Sequence, residues 1–250
     1  MKLRNNFLTG FFAWSLICQT SLAGLPDTYS SAPFEGTVVD GKGSPISGAV
    51  VVASWLISPI IYFHGPTKFK LIYLAEVVTD VNGKYFVPSS GPIPRPNGWA
   101  KFRSHDPAIA VFKPGFQPTF RNNVAWETNV QTGPPINSPD ARILRAAYDG
   151  KEITLYKYDE KTQQIPSRSG NDSSITIDPR TETIDKLRSF VSFLERNVQY
   201  ADDDDAASSS QARIRAMQLQ RQAVLLADNE LKRLRVTHHW RTGIDFLRGD

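Results

Sequence analysis

The chain has 250 residues, 40% hydrophobic and 22% charged, with a formal net charge of +4. That length provides one or two domains with a real core, and the ordinary charge content excludes wholesale disorder. A basic excess this mild does not single out a nucleic-acid binder, and no nucleic-acid partner is expected. The 17 prolines and 16 glycines favour short strands and turns over long helices through the first two thirds.

Residues 1–23 read as a signal peptide. Lys2 and Arg4 precede an apolar run from Phe7 to Cys18, and Ser21-Leu22-Ala23 offers small residues where a signal peptidase reads them. Cleavage is expected after Ala23, giving an exported protein that is periplasmic or envelope-associated. The apolar run is short for a membrane span, so no stable span is expected after cleavage. An uncleaved anchor and a lipoprotein centred on Cys18 are the other readings; bulky Ile17 before the cysteine weighs against the second. Cleavage leaves 27 basic and 25 acidic residues, a net charge of +2, and removes the only cysteine. The mature chain then has no disulfide and no thiol ligand or nucleophile.

Residues 24–33 read as a flexible polar leader. Phe34 to Asp40 is the first expected strand, followed by a Gly41–Ser44 turn. Ile46 to Trp55 is the second, and its run Ala49-Val50-Val51-Val52-Ala53 lacks polar alternation, so both faces should be covered. Leu56 to Leu74 is strongly apolar, is interrupted by Pro59 and turns at Gly65-Pro66, which suggests a protruding hairpin or lid. Ser89 to Pro96 is a loop of extended character. Ala108 to Lys113 is a strand closed by Pro114-Gly115, and Phe116 to Phe120 adds a short one. Thr132 to Pro139 is a proline-rich loop, and Glu152 to Tyr158 completes the sheet.

Between these lies Thr79-Asp80-Val81-Asn82-Gly83, which leads into a strand from Lys84 to Pro88. Gly83 reaches positive φ without a Cβ clash, Asn82 tolerates the turn, and the Asp80 carboxylate accepts backbone N–H groups further along. Asp80, Asn82 and Gly83 are therefore a structural turn. Read as half a calcium loop, they lack the downstream acidic ligand such a loop needs: residue 91 is glycine.

After a linker over 161–177 the hydrophobic period changes. Asp178-Pro179 is a helix start. Ile184, Leu187, Val191, Leu194 and Val198 then form one amphipathic stripe. Asp202 to Asp205 ends that helix, and a second is expected from Gln211 to Val236, with Ala216, Leu219, Ala223, Ala227, Leu231 and Leu234 on one face. The region 178–250 is thus a helical hairpin.

The β part, residues 34–160, resembles the carboxypeptidase regulatory-like domain, a transthyretin-like or prealbumin-like sandwich. Three segments carry the likeness: Gly36–Asp40 with Gly43–Val51, Thr79–Val87, and Val111–Phe116. The resemblance implies a seven- or eight-stranded Greek-key sandwich that serves as an accessory, binding or spacing module, and it implies no activity. The Leu56–Leu74 hairpin and the long proline-rich loop depart from it, and the helices match no family pattern.

No catalytic motif stands out. His64 and His105 are too sparsely surrounded for a metal motif, and His238-His239 falls at a helix C-terminus, where positive charge stabilises. Four consecutive aspartates, Asp202 to Asp205, point in different directions and make a solvated loop. No cofactor is expected. Ile57, Ile60, Ile61, Tyr62 and Phe63 are either an exposed partner-binding patch or core beneath the helices. The leading expectation is a mainly β protein with a Greek-key transthyretin-like sandwich and a C-terminal helical hairpin. Its expected role is a non-enzymatic exported binding or structural module of the cell envelope that engages a protein or other envelope partner. The alternatives are a small hydrolase with a site near His64 and His105, and an accessory subunit of a surface or secretion assembly that docks through its helices.

Overall fold

The structure, a computed structural model, describes residues 28–59, 69–94, 99–102, 106–123, 146–158, 179–201 and 206–240. Residues 1–23 (read as a signal peptide), Ile60 to Phe63, His64, His105, the Thr132–Pro139 loop, the expected linker, Asp178 and Asp202 to Asp205 lie outside the described residues.

The chain is mainly β: a β-sandwich followed by a helical region. The strands are β1 (Thr28–Ser31), β2 (Phe34–Asp40), β3 (Val50–Pro59), β4 (Lys70–Val78), β5 (Lys84–Val87), β6 (Ser90–Pro94), β7 (Trp99–Phe102), β8 (Ala108–Phe112), β9 (Thr119–Asn122) and β10 (Lys151–Leu155). The helices are α1 (Pro179–Gln199), α2 (Ala206–Leu219) and α3 (Arg221–Arg233). One sheet runs β10-β2-β5, a second runs β4-β3-β8-β9 with β7 also on β3, and β1 and β6 form a separate ribbon. The β10–β2 pair is parallel, and β2–β5, β3–β4 and β3–β8 are antiparallel.

The period of two explains the layers. Along β2, Phe34 and Val38 point inward, as do Tyr85 and Val87 of β5 and Ile153 and Leu155 of β10. They meet Val51, Ala53, Trp55, Ile109 and Val111 from the inner face of the second sheet. The intervening residues Val50, Val52, Ala108, Ala110 and Phe112 face the other way, into a second core under the helices. Leu187, Val191, Leu194 and Val198 of α1 fill that core as their spacing requires, joined by Phe190 and Phe193. Phe190 lies 5.1 Å from Phe112, centroid to centroid. Each such buried side chain contributes about 1.5–3 kcal/mol of transfer free energy. The second sheet is therefore the middle of three layers, and the unbroken run in β3 is apolar because neither of its faces meets water.

Several elements differ from their sequence reading. Ile57, read as either part of an exposed patch or core beneath the helices, is fully buried, and its place is the core between the two sheets. It pairs with Lys70 on one side and Phe102 on the other. The β3–β4 ladder continues into both ends of the segment expected to protrude, as far as Ile57 opposite Lys70. Thr28–Ser31, assigned to the leader, pairs with β6 in the proline- and glycine-rich Ser89–Pro96 segment, an expected loop, and the Ser31 and Ser90 hydroxyls share a 2.8 Å hydrogen bond. The second helical arm is broken at Gln220, which is fully buried. Its Nε2 donates to the Leu194 carbonyl at 2.8 Å. Leu219, expected on the buried stripe, is 43% exposed.

Candidate binding surface

The Asp80 turn is built as the residue types require. Asp80 Oδ1 accepts the N–H groups of Asn82 and Lys84, both at 2.8 Å, and Gly83 has φ +72°. The turn is not isolated, because Val38 N–H donates to the Gly83 carbonyl at 2.8 Å. Asp40 makes the same structure: its Oδ1 accepts from Lys42 at 2.9 Å and Ser44 at 2.8 Å, and Gly43 has φ +81°. Those two N–H groups hold the Asp40 carboxyl below its ordinary pKa. Both aspartates are occupied as turn staples.

A second polar cluster ties one end of the sandwich. Asp106, just before β8, is 3% exposed, and its Oδ2 accepts the Leu56 N–H at 2.6 Å. Asn123 donates to the Asp106 carbonyl at 3.0 Å and accepts from Ala147 N–H at 2.8 Å. Tyr148 donates to the Pro107 carbonyl at 2.7 Å. Burial pushes the Tyr148 phenol well above its ordinary pKa, reinforced by Tyr85 and Asp106.

The helices are fastened to the sandwich by two glutamates. Glu76 of β4 accepts the first N–H groups of α3, from Gln222 at 3.1 Å and Ala223 at 2.6 Å. Burial raises the Glu76 pKa against the pull of those two donors. Glu230 of α3 is 3% exposed. It accepts from Gly115 N–H at 3.1 Å, the Tyr158 hydroxyl at 2.5 Å, and Arg233 Nε and Nη2, each at 2.8 Å. Burial pushes the Glu230 pKa up, but Arg233, Tyr158 and Gly115 together outweigh it and hold the carboxyl below its ordinary range. Burial and the bond to Glu230 push the Tyr158 phenol upward. The helical pattern alone did not single out Glu230, because a glutamate one residue before Leu231 reads as solvent-facing.

A groove of about 540 Å³ opens where β4, β6 and α2 meet. Leu71 and Tyr73 from β4, Pro92 and Ile93 from β6, and Ala212 and Ala216 from α2 supply its apolar lining. The two alanines leave the room that makes it a groove. Lys70 and Arg215 are the charged residues lining it, and both are cationic. Leu219 lies at its margin, with exposed Ile214 on the same helix. The free edge of β4 is blunted nearby: Leu71 N–H donates to the Tyr200 carbonyl, just past α1, at 2.7 Å. The groove thus draws together the far part of the β3–β4 hairpin, the start of the proline-rich segment and the helical region.

Of the other residues singled out by sequence, His238 sits 3.4 Å from Glu195 and stacks edge-on with Trp240, while His239 is exposed. Among the described residues no three His, Cys, Asp or Glu side chains are arranged to hold a metal ion. Among the same residues no helix is long and apolar enough to cross a membrane.

No family model matches the sequence, and no curated protein matches it. Among solved structures, a 3-chlorocatechol 1,2-dioxygenase from Rhodococcus opacus 1CP is similar, with 19% identity, 53% of this chain and 64% of that one covered, and a TM-score of 0.29. A chlorocatechol 1,2-dioxygenase from Pseudomonas putida gives 18% identity, 54% and 62% coverage, and a TM-score of 0.26. For a catechol 1,2-dioxygenase from Pseudomonas arvilla C-1 the figures are 14%, 62% and 60%, and 0.26. The chain spans less than two thirds of the length of these enzymes. Likenesses of that size assign this chain neither a family nor an activity.

Proposed function

We propose that the chain is a non-enzymatic, exported binding or structural module of the cell envelope, with a sandwich of the carboxypeptidase regulatory-like kind, and that a protein partner docks in the groove beside β4. The observation that carries the reading is the convergence of three features on one groove. The hairpin, the proline-rich segment and the helices are the parts of the chain that depart from the plain sandwich pattern, and all three line it. An apolar floor beside the exposed Arg215 suits an extended segment that carries apolar side chains and an acidic residue. The polar groups support a scaffold role as well: buried Asp106, Asn123 and Glu230 and half-buried Glu76 are engaged in holding loops and helices in place.

The test is co-purification from the envelope fraction with wild-type chain and with Arg215→Glu combined with Leu219→Asp. Leu219 is 43% exposed, and Arg215 is also exposed, so the fold should survive both changes, checked by circular dichroism and melting temperature. The expected result is loss of a partner that wild-type chain retains. Retention of the same partner by the folded double variant would sink the groove as the docking surface, and recovery of wild-type chain only from the cytoplasm would sink the export reading.

A further inference from the structure

The geometry points to a site for a small amphipathic carboxylate, an aryl or short alkyl acid, at the open end of the interface between β9 and α1. This goes beyond the envelope reading and does not depend on it.

A cavity of about 400 Å³ lies there. The β8–β9 register sets one wall. Ala108 is opposite Asn122 and Ala110 opposite Phe120, so Phe120 and Asn122, two residues apart, share the face turned toward the helices. The other wall is a stripe of α1: Ser189, Phe193 and Arg196, spaced by four and three residues. Ala108, which also lines the cavity, is small.

The chemistry of the walls is divided. Phe120 and Phe193 meet edge to face with centroids 6.1 Å apart, an arrangement that accepts a further apolar group beside it. The Arg196 guanidinium carbon stands 5.9 Å from the Phe193 ring centroid. The ring thus places a guanidinium over the apolar floor. Arg196 has no carboxylate partner among the described residues, and the adjacent Glu195 faces His238 instead. The Asn122 amide, also lining the cavity, makes no hydrogen bond among the described residues. Ser189 donates its hydroxyl to the Asp185 carbonyl at 2.9 Å, which leaves its oxygen as an acceptor only. Guanidinium and amide donors beside an aromatic wall match a carboxylate carried on a compact apolar body. A cavity of this size falls within the range of small-ligand pockets, about 300–1,000 Å³.

The probe is phenylacetate, titrated into the full chain while amide resonances are followed by NMR. Two controls separate the halves of the site: 2-phenylethanol has the ring without the charge, and acetate has the charge without the ring. Phenylacetate should shift the signals of Asn122, Ser189, Phe193 and Arg196 saturably, and each control should bind at least about tenfold more weakly. Arg196→Gln, an exposed position that should leave the fold intact, should weaken phenylacetate by a similar factor. The proposal is overturned if phenylacetate produces no localised saturable shifts, if 2-phenylethanol binds equally well, or if folded Arg196→Gln binds as tightly as wild type.

Discussion

The carboxylate of Glu76 and the backbone N–H of Ala223, 147 residues apart in sequence, are joined by a 2.6 Å hydrogen bond that starts α3 from the neighbouring sheet. Gln220, at the position that would normally cap the helix, makes no side-chain cap bond, because its amide is turned inward to Leu194. Glu76 supplies the missing acceptor, and its negative charge opposes the positive end of the helix dipole. Glu76→Ala is expected to cost about 1–2 kcal/mol, measured by urea unfolding. Glu76→Gln, which keeps one acceptor oxygen, should cost less. Because burial raises the folded pKa of Glu76, the folded state holds the proton more tightly than the unfolded one. This glutamate's contribution therefore falls as pH rises from its ordinary value through the raised one. Glu76→Gln should remove that slope; an unchanged slope would show that the titrating group lies elsewhere.

Glu230 has the opposite sign. Its folded pKa is held below the ordinary value, so its contribution is complete above the ordinary carboxylate range and is lost as pH falls through the folded value. Glu230→Ala strips acceptors from Gly115, Tyr158 and Arg233 at once, with an expected cost of about 2–3 kcal/mol. Tyr158→Phe removes one charge-assisted bond and should cost about 1.5 kcal/mol. A double-mutant cycle should give a coupling of similar size, since the two side chains touch. Additive effects in that cycle would refute the coupling.

The twin turns offer a controlled comparison. Gly43 and Gly83 have nearly the same φ, +81° and +72°, within the same pattern of aspartate bonds. A Cβ at Gly43 would meet nothing within 4 Å, whereas one at Gly83 would run into the Val38 carbonyl oxygen. Gly43→Ala should therefore cost only the left-handed backbone penalty, about 1 kcal/mol. Gly83→Ala should cost roughly 1–2 kcal/mol more, because backbone must move. Equal melting temperatures for the two variants would mean that the β2 contact yields freely.

The end of α3 carries one residue against its preference. Arg235, at φ +58°, is the non-glycine residue with positive φ among those described. Arg235 N–H bonds to the Lys232 carbonyl at 3.0 Å and Val236 N–H to that of Leu231 at 2.9 Å, the Schellman pattern that glycine usually closes. Arg235→Gly should stabilise by about 0.5–1 kcal/mol, seen as a higher melting temperature. A lower one would show that the arginine side chain contributes more than its backbone conformation costs.

How much of this was legible in the sequence follows the range of each interaction. The Asp80-Val81-Asn82-Gly83 turn could be read because the Asp80 bonds that close it fall within five residues. The covering of both faces of β3 could be read because Val50, Val51 and Val52 state it locally, and the α1 stripe could be read from its spacing. The β1–β6 ribbon could not, since Ser31 and Ser90 are 59 residues apart and neither segment alternates cleanly. The burial of Ile57 could not either, because an apolar residue near Pro59 suits a core strand as well as an exposed patch. The helix break at Gln220 and the burial of Glu230 depend on partners in α1 and in the sandwich that no local pattern names. The groove is likewise a product of three distant segments, so sequence pointed to its parts and not to their meeting.

The middle sheet also sets an order on how the protein comes into being. Among the described residues, most of what covers the sheet's outer face, Val50, Val52, Ala110 and Phe112, comes from the helical region, from Leu187 to Leu231. The strand β2 likewise waits for β10, whose residues lie more than a hundred positions later. As the chain is made from its N-terminus, an apolar wall must stay open until nearly all of it has emerged. Limited proteolysis of arrested chains ending near residue 178 should find β3 and β8 cleavable, and protection at that length would refute the dependence. The helical region that begins at Pro179 is therefore the closing step of assembly.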